Sequence, residues 1–325
     1  MHFKRLSLYF ILLVVISTSI SEETIISMKN HYSIRNNSQL FLENESHYWG
    51  VIISIGDYKG NEHDIPLNRS ELLCLYNALL SANNWNKSHI KLLINENATQ
   101  NAIVNAFNWL KENVDTQDIV IFSYLGHGGE IPDVNGDEKD GYDEGIIPWE
   151  GMDGFISDDE LGKKFNEINA KGMCIIFDCC LSGDLIDKKQ LIKHKIYNKR
   201  KFLEEISMDI EANNRVILTS TMRNGLGGML QIKNPFTNRT RTSFFLKWIA
   251  KAFKMKIDFN NDEICSAEEA FLFAKFRILP FAIFLLNPVW QLKAIMETGH
   301  PILAFPQMYD GYEGDLPIII KNTGR

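Results

Sequence analysis

The seven residues Ile119–Leu125 run without a polar face, so both sides of the segment must be covered, as in a central strand of a parallel sheet. Comparable apolar runs occur at Trp49–Ile55, Ile90–Ile94, Cys174–Asp178 and Arg215–Thr219. Helical spacing lies between and after them. Ser70 is placed to cap a helix carrying Leu72, Leu73, Tyr76, Leu79 and Leu80. Thr99 opens one with Ile103, Phe107 and Leu110 on one side, Ser157 and Glu160 form a capping box, and Ser243–Phe253 is amphipathic. Strands alternating with helices imply right-handed crossovers. The expected class is α/β: a mostly parallel central sheet with helices on both faces, plus a C-terminal loop–helix extension.

The chain divides into residues 1–21, a signal peptide or anchor, 22–47, a polar linker, 48–255, the α/β domain, and 256–325, the extension. Lys4 and Arg5 precede the fifteen-residue apolar run Leu6–Ile20. This fits a secretory signal better than a membrane span, which needs roughly 20 residues. The expected location is secreted or cell-surface, with membrane contact only if the segment stays uncleaved. The apolar stretch Ile278–Leu286 is too short to span a bilayer and is expected to bury against the sheet.

Charge excludes some functions. With 34 Lys+Arg against 41 Asp+Glu the chain carries −7, unsuited to nucleic-acid phosphates. Residues 130–160 hold twelve carboxylates and one cation, Lys139, or −11, which needs its own account. No motif for an organic cofactor is present. The five cysteines are an odd number and do not make a disulfide framework.

Chemistry concentrates where two apolar strands end. One leads into Gly126-His127-Gly128-Gly129, the other into Asp178-Cys179-Cys180-Leu181-Ser182-Gly183. Reactive groups of open parallel sheets gather at strand carboxyl ends. If the strands are neighbours, His127 and Cys180 share a crevice as base and nucleophile. The amides of Gly128 and Cys180 are then placed to hold an oxyanion.

From Trp49 to about Phe253 the chain resembles caspase-like (clan CD) cysteine peptidases, most closely metacaspases and their prokaryotic relatives. The matching segments are Val51-Ile-Ile-Ser-Ile-Gly-Asp-Tyr58, Tyr124-Leu-Gly-His-Gly128, Asp140-Gly-Tyr-Asp-Glu144, Ile156-Ser-Asp-Asp-Glu-Leu161 and Asp178-Cys-Cys-Leu-Ser-Gly183. The His127–Cys180 separation of 53 residues is near the roughly 50 of caspase-type sites. The resemblance implies a caspase–hemoglobinase fold, a His127–Cys180 dyad acting on protein or peptide substrates, and cleavage after Arg or Lys with Asp178 in the S1 pocket. It also suggests self-processing in the basic insert 188–201. Arg69 stands where the family usually has the second S1 acid. Asp64 or Glu71 could replace that acid, and Asp or Asn at P1 competes with Arg/Lys. A reading of another class, an inactive calcium-binding surface protein, fits the acidic loops and the six N-x-S/T triplets.

Ca²⁺ is the expected cofactor, at three places. Asp133, Asn135, Asp137 and Glu144 occupy positions 1, 3, 5 and 12 of an EF-hand-type loop, as do Asp258, Asn260, Asp262 and Glu269. Both lack the usual glycine at position 6, and Ser266 with Glu269 also reads as a capping box. The family resemblance implies a separate set: Asp158, Asp159, Asp187 and, fourth, Asp143.

Overall fold

The computed structural model describes residues 46–60, 62–133, 135–136, 141–179, 213–220, 230–233, 240–289, 291–292, 296 and 305–321. The expected signal segment, the basic insert 188–201, Cys180 and Asp187 lie outside the described residues.

In chain order the elements are β1 (Tyr48–Ser54), α1 (Arg69–Leu72), α2 (Cys74–Leu79), β2 (Ile90–Ile94), α3 (Gln100–Asn113), β3 (Ile119–Leu125), β4 (Gly128–Pro132), β5 (Tyr142–Ile146), β6 (Ile156–Ser157), α4 (Asp158–Asn166), β7 (Gly172–Asp178) and β8 (Arg215–Thr219). After these come β9 (Leu230–Lys233), β10 (Thr240–Ser243), α5 (Phe245–Met255), β11 (Ile264–Ser266), α6 (Ala267–Leu285), β12 (Gln307–Asp310) and β13 (Pro317–Ile320).

Six strands form the main sheet in the order β12-β8-β7-β3-β1-β2. All pair in parallel except β12, which runs antiparallel to β8. Every residue of β3 is buried, as its apolar sequence requires. Side chains alternate between two cores. One gathers Leu75, Leu79, Ile249, Phe253 and Ala274 beneath α2, α5 and α6. The other gathers Ile103, Phe107, Leu161 and Phe165 beneath α3 and α4, with Phe122 meeting Phe165 edge-on at 5.0 Å. The sheet is thus covered on both faces.

Local chemistry sets the helix starts. Thr99 and Ser157 accept the amides of Ala102 and Glu160 and cap α3 and α4. The cap of α1 is Asn68 rather than Ser70: Asn68 accepts the Glu71 amide, and the Glu71 carboxylate reaches back to the Asn68 amide. That reciprocal box outcompetes a lone serine, and the Ser70 hydroxyl instead donates to Asn68 Oδ1 at 2.6 Å.

The C-terminal segment is part of the domain. β12 extends the main sheet and β13 pairs with β11. The carbonyl of Ile318 accepts from both Asn84 Nδ2 and Trp85 Nε1 at 2.9 Å. Within Ile278–Leu286 the burial of four residues is described. Ile278 is buried, whereas Leu279, Ile283 and Leu286 are exposed, because α6 runs past the core that covers its first half.

Asp118 ties the start of the sheet together, 1% exposed. It accepts from the His47 amide and Trp49 Nε1, both at 2.8 Å, and from the Asp115 amide at 3.1 Å. Asp118→Ala strands three donors and is expected to cost about 2–4 kcal/mol of stability, read as a lowered urea midpoint; a midpoint equal to wild type contradicts this account.

Candidate active site

β3 and β7 are adjacent, parallel and registered with Leu125 opposite Asp178. Neighbouring strands lie about 4.8 Å apart. His127 is two residues beyond Leu125, and Cys180 is two residues beyond Asp178. The register therefore brings both strand ends to one place on one sheet edge, and the Gly126 amide donates to the Asp178 carbonyl across them at 3.3 Å. Cys180 itself lies outside the described residues.

His127 is held from several directions. Its amide donates to the Tyr58 hydroxyl at 2.7 Å, and the two rings pack with centroids 4.9 Å apart. The Tyr124 hydroxyl lies 2.6 Å from the carbonyls of both His127 and Ile147. The imidazole Nε2 sits 2.8 Å from the His63 carbonyl oxygen, which can only accept. Nε2 therefore carries the proton, and Nδ1 is left with its lone pair to act as a base. Burial lowers the His127 pKa below 6.5, opposed in part by the His63 carbonyl, which favours the protonated ring. The ring is neutral at neutral pH.

Tyr58, Tyr124 and the His63 carbonyl are supports that the sequence did not reveal. A backbone carbonyl has no sequence signature, and the tyrosines read as core. Gly126 gives one clue: a Cβ there would lie 2.5 Å from the Tyr124 hydroxyl and 2.6 Å from that of Tyr58. Only glycine admits both hydroxyls.

Gly128 starts β4 and is paired with Ile146. The Ile147 amide donates to the His127 carbonyl at 3.0 Å, so Gly128 and Ile146 form a non-hydrogen-bonded pair. The Gly128 amide is turned away from β5 and is not spent on that ladder, as an oxyanion donor needs.

Four cysteines are described, Cys74, Cys174, Cys179 and Cys265. Burial pushes the Cys74 thiol up to about 12 and raises those of Cys174 and Cys265 as well. Cys179 is buried in the core with Phe177 and Tyr124. The raised thiols of Cys74, Cys174 and Cys265 stay protonated and inert.

The S1 candidates are spread out. Asp178 Oδ2 accepts the Leu246 amide at 2.7 Å, at the start of α5, whose N-cap Phe244 supplies no side-chain bond. Burial raises the Asp178 carboxyl to about 6, against the pull of its amide bonds. Arg69 is exposed at the first position of α1, and no ion pair joins it to Asp178. Asp64 accepts the Tyr58 amide at 2.8 Å, and Glu71 pairs with Lys247 at 3.1 Å. Both stand-ins for the missing acid are engaged.

The acidic loops differ from one another. In the first, Glu144 is a strand residue of β5 registered with Glu130 of β4. Its twelve-residue spacing therefore falls on a hairpin rather than a helix–loop–helix. Asp133 accepts the Gly136 amide at 2.7 Å, Asn135 donates to Asp159 at 2.7 Å, and Asp137 lies outside the described residues. The hairpin thereby meets the start of α4, where Asp158 is buried; Asp143 is buried on β5.

In the second loop Glu263 adopts φ +72°, so the sharp turn forms without glycine. Its side chains hydrogen-bond mainly within the loop. Asp258 pairs with Lys321 at 2.6 Å and accepts the Asp262 amide at 3.1 Å; Asp262 accepts the Ile264 amide at 2.9 Å. Glu269 accepts the amides of Phe259, Asn260 and Ser266, completing the capping box. Among the described residues no three His, Cys, Asp or Glu side chains converge to hold a metal ion. The all-oxygen donors Asp143, Asp158 and Asp159 suit a hard cation, but their set is incomplete without residues outside the described ones.

Residues 71–189 match the family model of the metacaspase peptidase C14 domain. Metacaspase-1 of Emericella nidulans is 35% identical over 137 residues, covering 41% of this chain and 33% of that relative. Metacaspase-1A of Neosartorya fischeri is 34% identical over 146 residues, covering 43% and 32%. The chain thus spans about a third of the length of the curated relatives it matches. Among solved structures, a Geobacter sulfurreducens protein aligns over 85% of this chain and 100% of its own at TM-score 0.52 and 15% identity. Caspase-1 from Spodoptera frugiperda aligns over 89% and 97% at 0.50 and 10%. These two likenesses concern the fold.

The supports of His127 can be tested in two ways. Tyr58→Phe leaves the His127 amide without its acceptor and is expected to lower kcat/KM on a peptide substrate about tenfold; an unchanged value removes Tyr58 from the site. The acid limb of the kcat/KM–pH profile should fall below 6.5, because only the neutral ring accepts a proton; a limb above 7 contradicts the burial effect.

Proposed function

Starting from a domain that is caspase-like in fold and similar in sequence to metacaspases, we propose that this chain is an exported cysteine endopeptidase with Cys180 as nucleophile and His127 as general base. The observation that carries this reading is the Leu125–Asp178 register, which joins the loop bearing a neutral, oriented imidazole to the chain end that continues into Cys180. His127 Nδ1 takes the thiol proton, and the Cys180 sulfur attacks the scissile carbonyl carbon. The Gly128 and Cys180 amides stabilise the resulting oxyanion. The imidazolium then gives its proton to the leaving amine, and water hydrolyses the thioester. An idle surface protein would have no use for an imidazole held by two tyrosine hydroxyls and a carbonyl. An irreversible cysteine-directed peptide inhibitor should label wild type and not Cys180→Ala; equal labelling refutes the assignment.

For P1, the engagement of Asp178, Glu71 and Asp64 together with the exposure of Arg69 supports an acidic residue over Arg or Lys. A cationic P1 side chain needs an available carboxylate, and Asp178, Asp64 and Glu71 already accept amides or Lys247. A fluorogenic panel should show Asp at P1 cleaved at least about tenfold faster than Arg, with Arg69→Asp shifting the preference towards Arg. Faster cleavage after Arg by wild type restores the family's usual specificity. Self-processing at 188–201 belongs with that outcome, and intact-mass comparison of wild type with Cys180→Ala detects it.

Calcium activation is the second part of the proposal, through Asp143, Asp158 and Asp159 with Asp187. Its support is the local charge of −11 and the contact of the hairpin with α4. Bound there, the cation would supply charge neutralisation beside the cleft. Excess EGTA should abolish turnover and added Ca²⁺ restore it; full activity in EGTA rejects the cation requirement.

A further inference from the structure

β2 is the outermost strand on its side of the main sheet, with no neighbour beyond it among the described residues. A free edge offers unpaired amides and carbonyls to any other chain, and proteins blunt such edges with charge, proline or a cover. β2 reads Ile-Lys-Leu-Leu-Ile, with Lys91 as its one charge and no proline. Ile90 is buried and the next four residues are half-buried, so part of an apolar strand is open to solvent. The opposite edge differs: β12 reads Gln-Met-Tyr-Asp and ends on the exposed Asp310.

Two of the N-x-S/T triplets flank this edge. Asn86 and Asn97 are both exposed, and each belongs to a short 3-10 turn abutting the strand, Lys87–His89 before it and Asn95–Asn97 after it. The five residues of β2 span roughly 17 Å, so the two side chains stand at opposite ends of the open edge. The Asn86 oxygen accepts from the Ser88 amide at 3.0 Å and the Ser88 hydroxyl at 2.9 Å. That leaves Nδ2, the atom that carries an N-linked sugar, without a partner. The Asn97 side chain has no hydrogen-bond partner among the described residues. The third described triplet contrasts with these: Asn68 Nδ2 donates to Glu71 Oε2 at 2.8 Å, inside the cap of α1. Asn36, Asn44 and Asn238 lie outside the described residues.

We propose that Asn86 and Asn97 carry N-linked glycans that together shield the β2 edge from pairing with a second chain. The inference rests on the export reading, because the donor, an oligosaccharide on a lipid diphosphate, belongs to the secretory pathway. Transfer forms a bond from Nδ2 to the anomeric carbon and breaks that carbon's bond to the diphosphate oxygen. Nδ2 gives up one proton, and the lipid diphosphate leaves. The test produces the full chain in a eukaryotic secretory host, behind its own N-terminus and, separately, behind a heterologous signal peptide. Glycosidase release in heavy-oxygen water marks each asparagine that held a glycan as labelled aspartate in peptide mass spectra. Label is expected at both positions. An unmodified Asn86 or Asn97 in chain secreted by the heterologous signal overturns the proposal. Modification of both behind that signal but not behind the chain's own N-terminus supports the acceptor sites and refutes export instead. Light scattering reads the shield. Trimming the folded glycoprotein to a single sugar at each site changes no residue and is expected to raise the mass of the monomer about twofold or more. The double variant Asn86→Gln/Asn97→Gln should do the same, with hydrogen-exchange protection gained in Ile90–Ile94; the asparagines are replaced because the Thr99 hydroxyl also caps α3. A trimmed chain that stays monomeric, or protection gained elsewhere and not in β2, overturns the shield.

Discussion

The parallel pairing of β3 with β7 is the constraint on which the site depends. Pairing alone would leave the register open, but a one-residue slip reverses every side chain between the faces. Here the faces cannot be exchanged. Phe122 and Phe177 belong to the core under α3 and α4, whereas Ile121 and Ile176 belong to the core under α2, α5 and α6. Two filled cores fix the register, and the register fixes which residues emerge together at the sheet edge. The position of the chemistry is therefore a consequence of packing well below it.

At that edge, orientation comes from uncharged groups. No described carboxylate contacts the His127 ring; Nε2 faces a carbonyl oxygen and the ring face meets Tyr58. A carboxylate at Nε2 would raise the imidazole pKa and keep the ring charged. A carbonyl fixes the tautomer at lower electrostatic cost, leaving burial to dominate and the base to remain neutral. The same hydroxyls explain Gly126, since both tyrosines occupy the space a side chain would fill. A strand end, a glycine and two tyrosines thus act as one support.

The main strands and the capped helices α3 and α4 were readable because their signals are local: apolar runs, period 3.6, and Ser or Thr at the caps. The place of the C-terminal segment was not. β12 joins β8 antiparallel and β13 joins β11, and such pairing leaves no mark on short strands far apart in sequence. Leu279, Ile283 and Leu286 are exposed against expectation, because apolarity shows only that a residue can be buried, while length and geometry decide whether core remains to receive it. α6 has nineteen residues, about 28 Å at 1.5 Å per residue, and its last buried residue with a described environment is Ile278. For the proposed dyad, the sequence supplies the candidate residues, whereas the supports of His127 required coordinates.

The acids teach the most general lesson. By residue type and spacing, Asp178, Asp258, Asp262 and Glu269 read as ligands for a P1 cation or for Ca²⁺. In the folded chain each accepts backbone amides: Leu246 for Asp178, Asp262 for Asp258, Ile264 for Asp262, and Phe259, Asn260 and Ser266 for Glu269. Glu268 does the same for Leu316. Helix starts and tight loops leave amides without intrahelical partners, and a nearby carboxylate satisfies them as well as it would hold a cation. The two uses share one composition, and a carboxylate that accepts an amide keeps lone pairs for a cation. Asp178 stands where this distinction bears on function. Because it anchors α5 from the end of β7, beside the site, a change in its charge would act on the placement of that helix as well as on any substrate. Its carboxyl, raised to about 6 by burial, is a structural acid at the carboxyl end of β7, and its charge state bears directly on how α5 is seated.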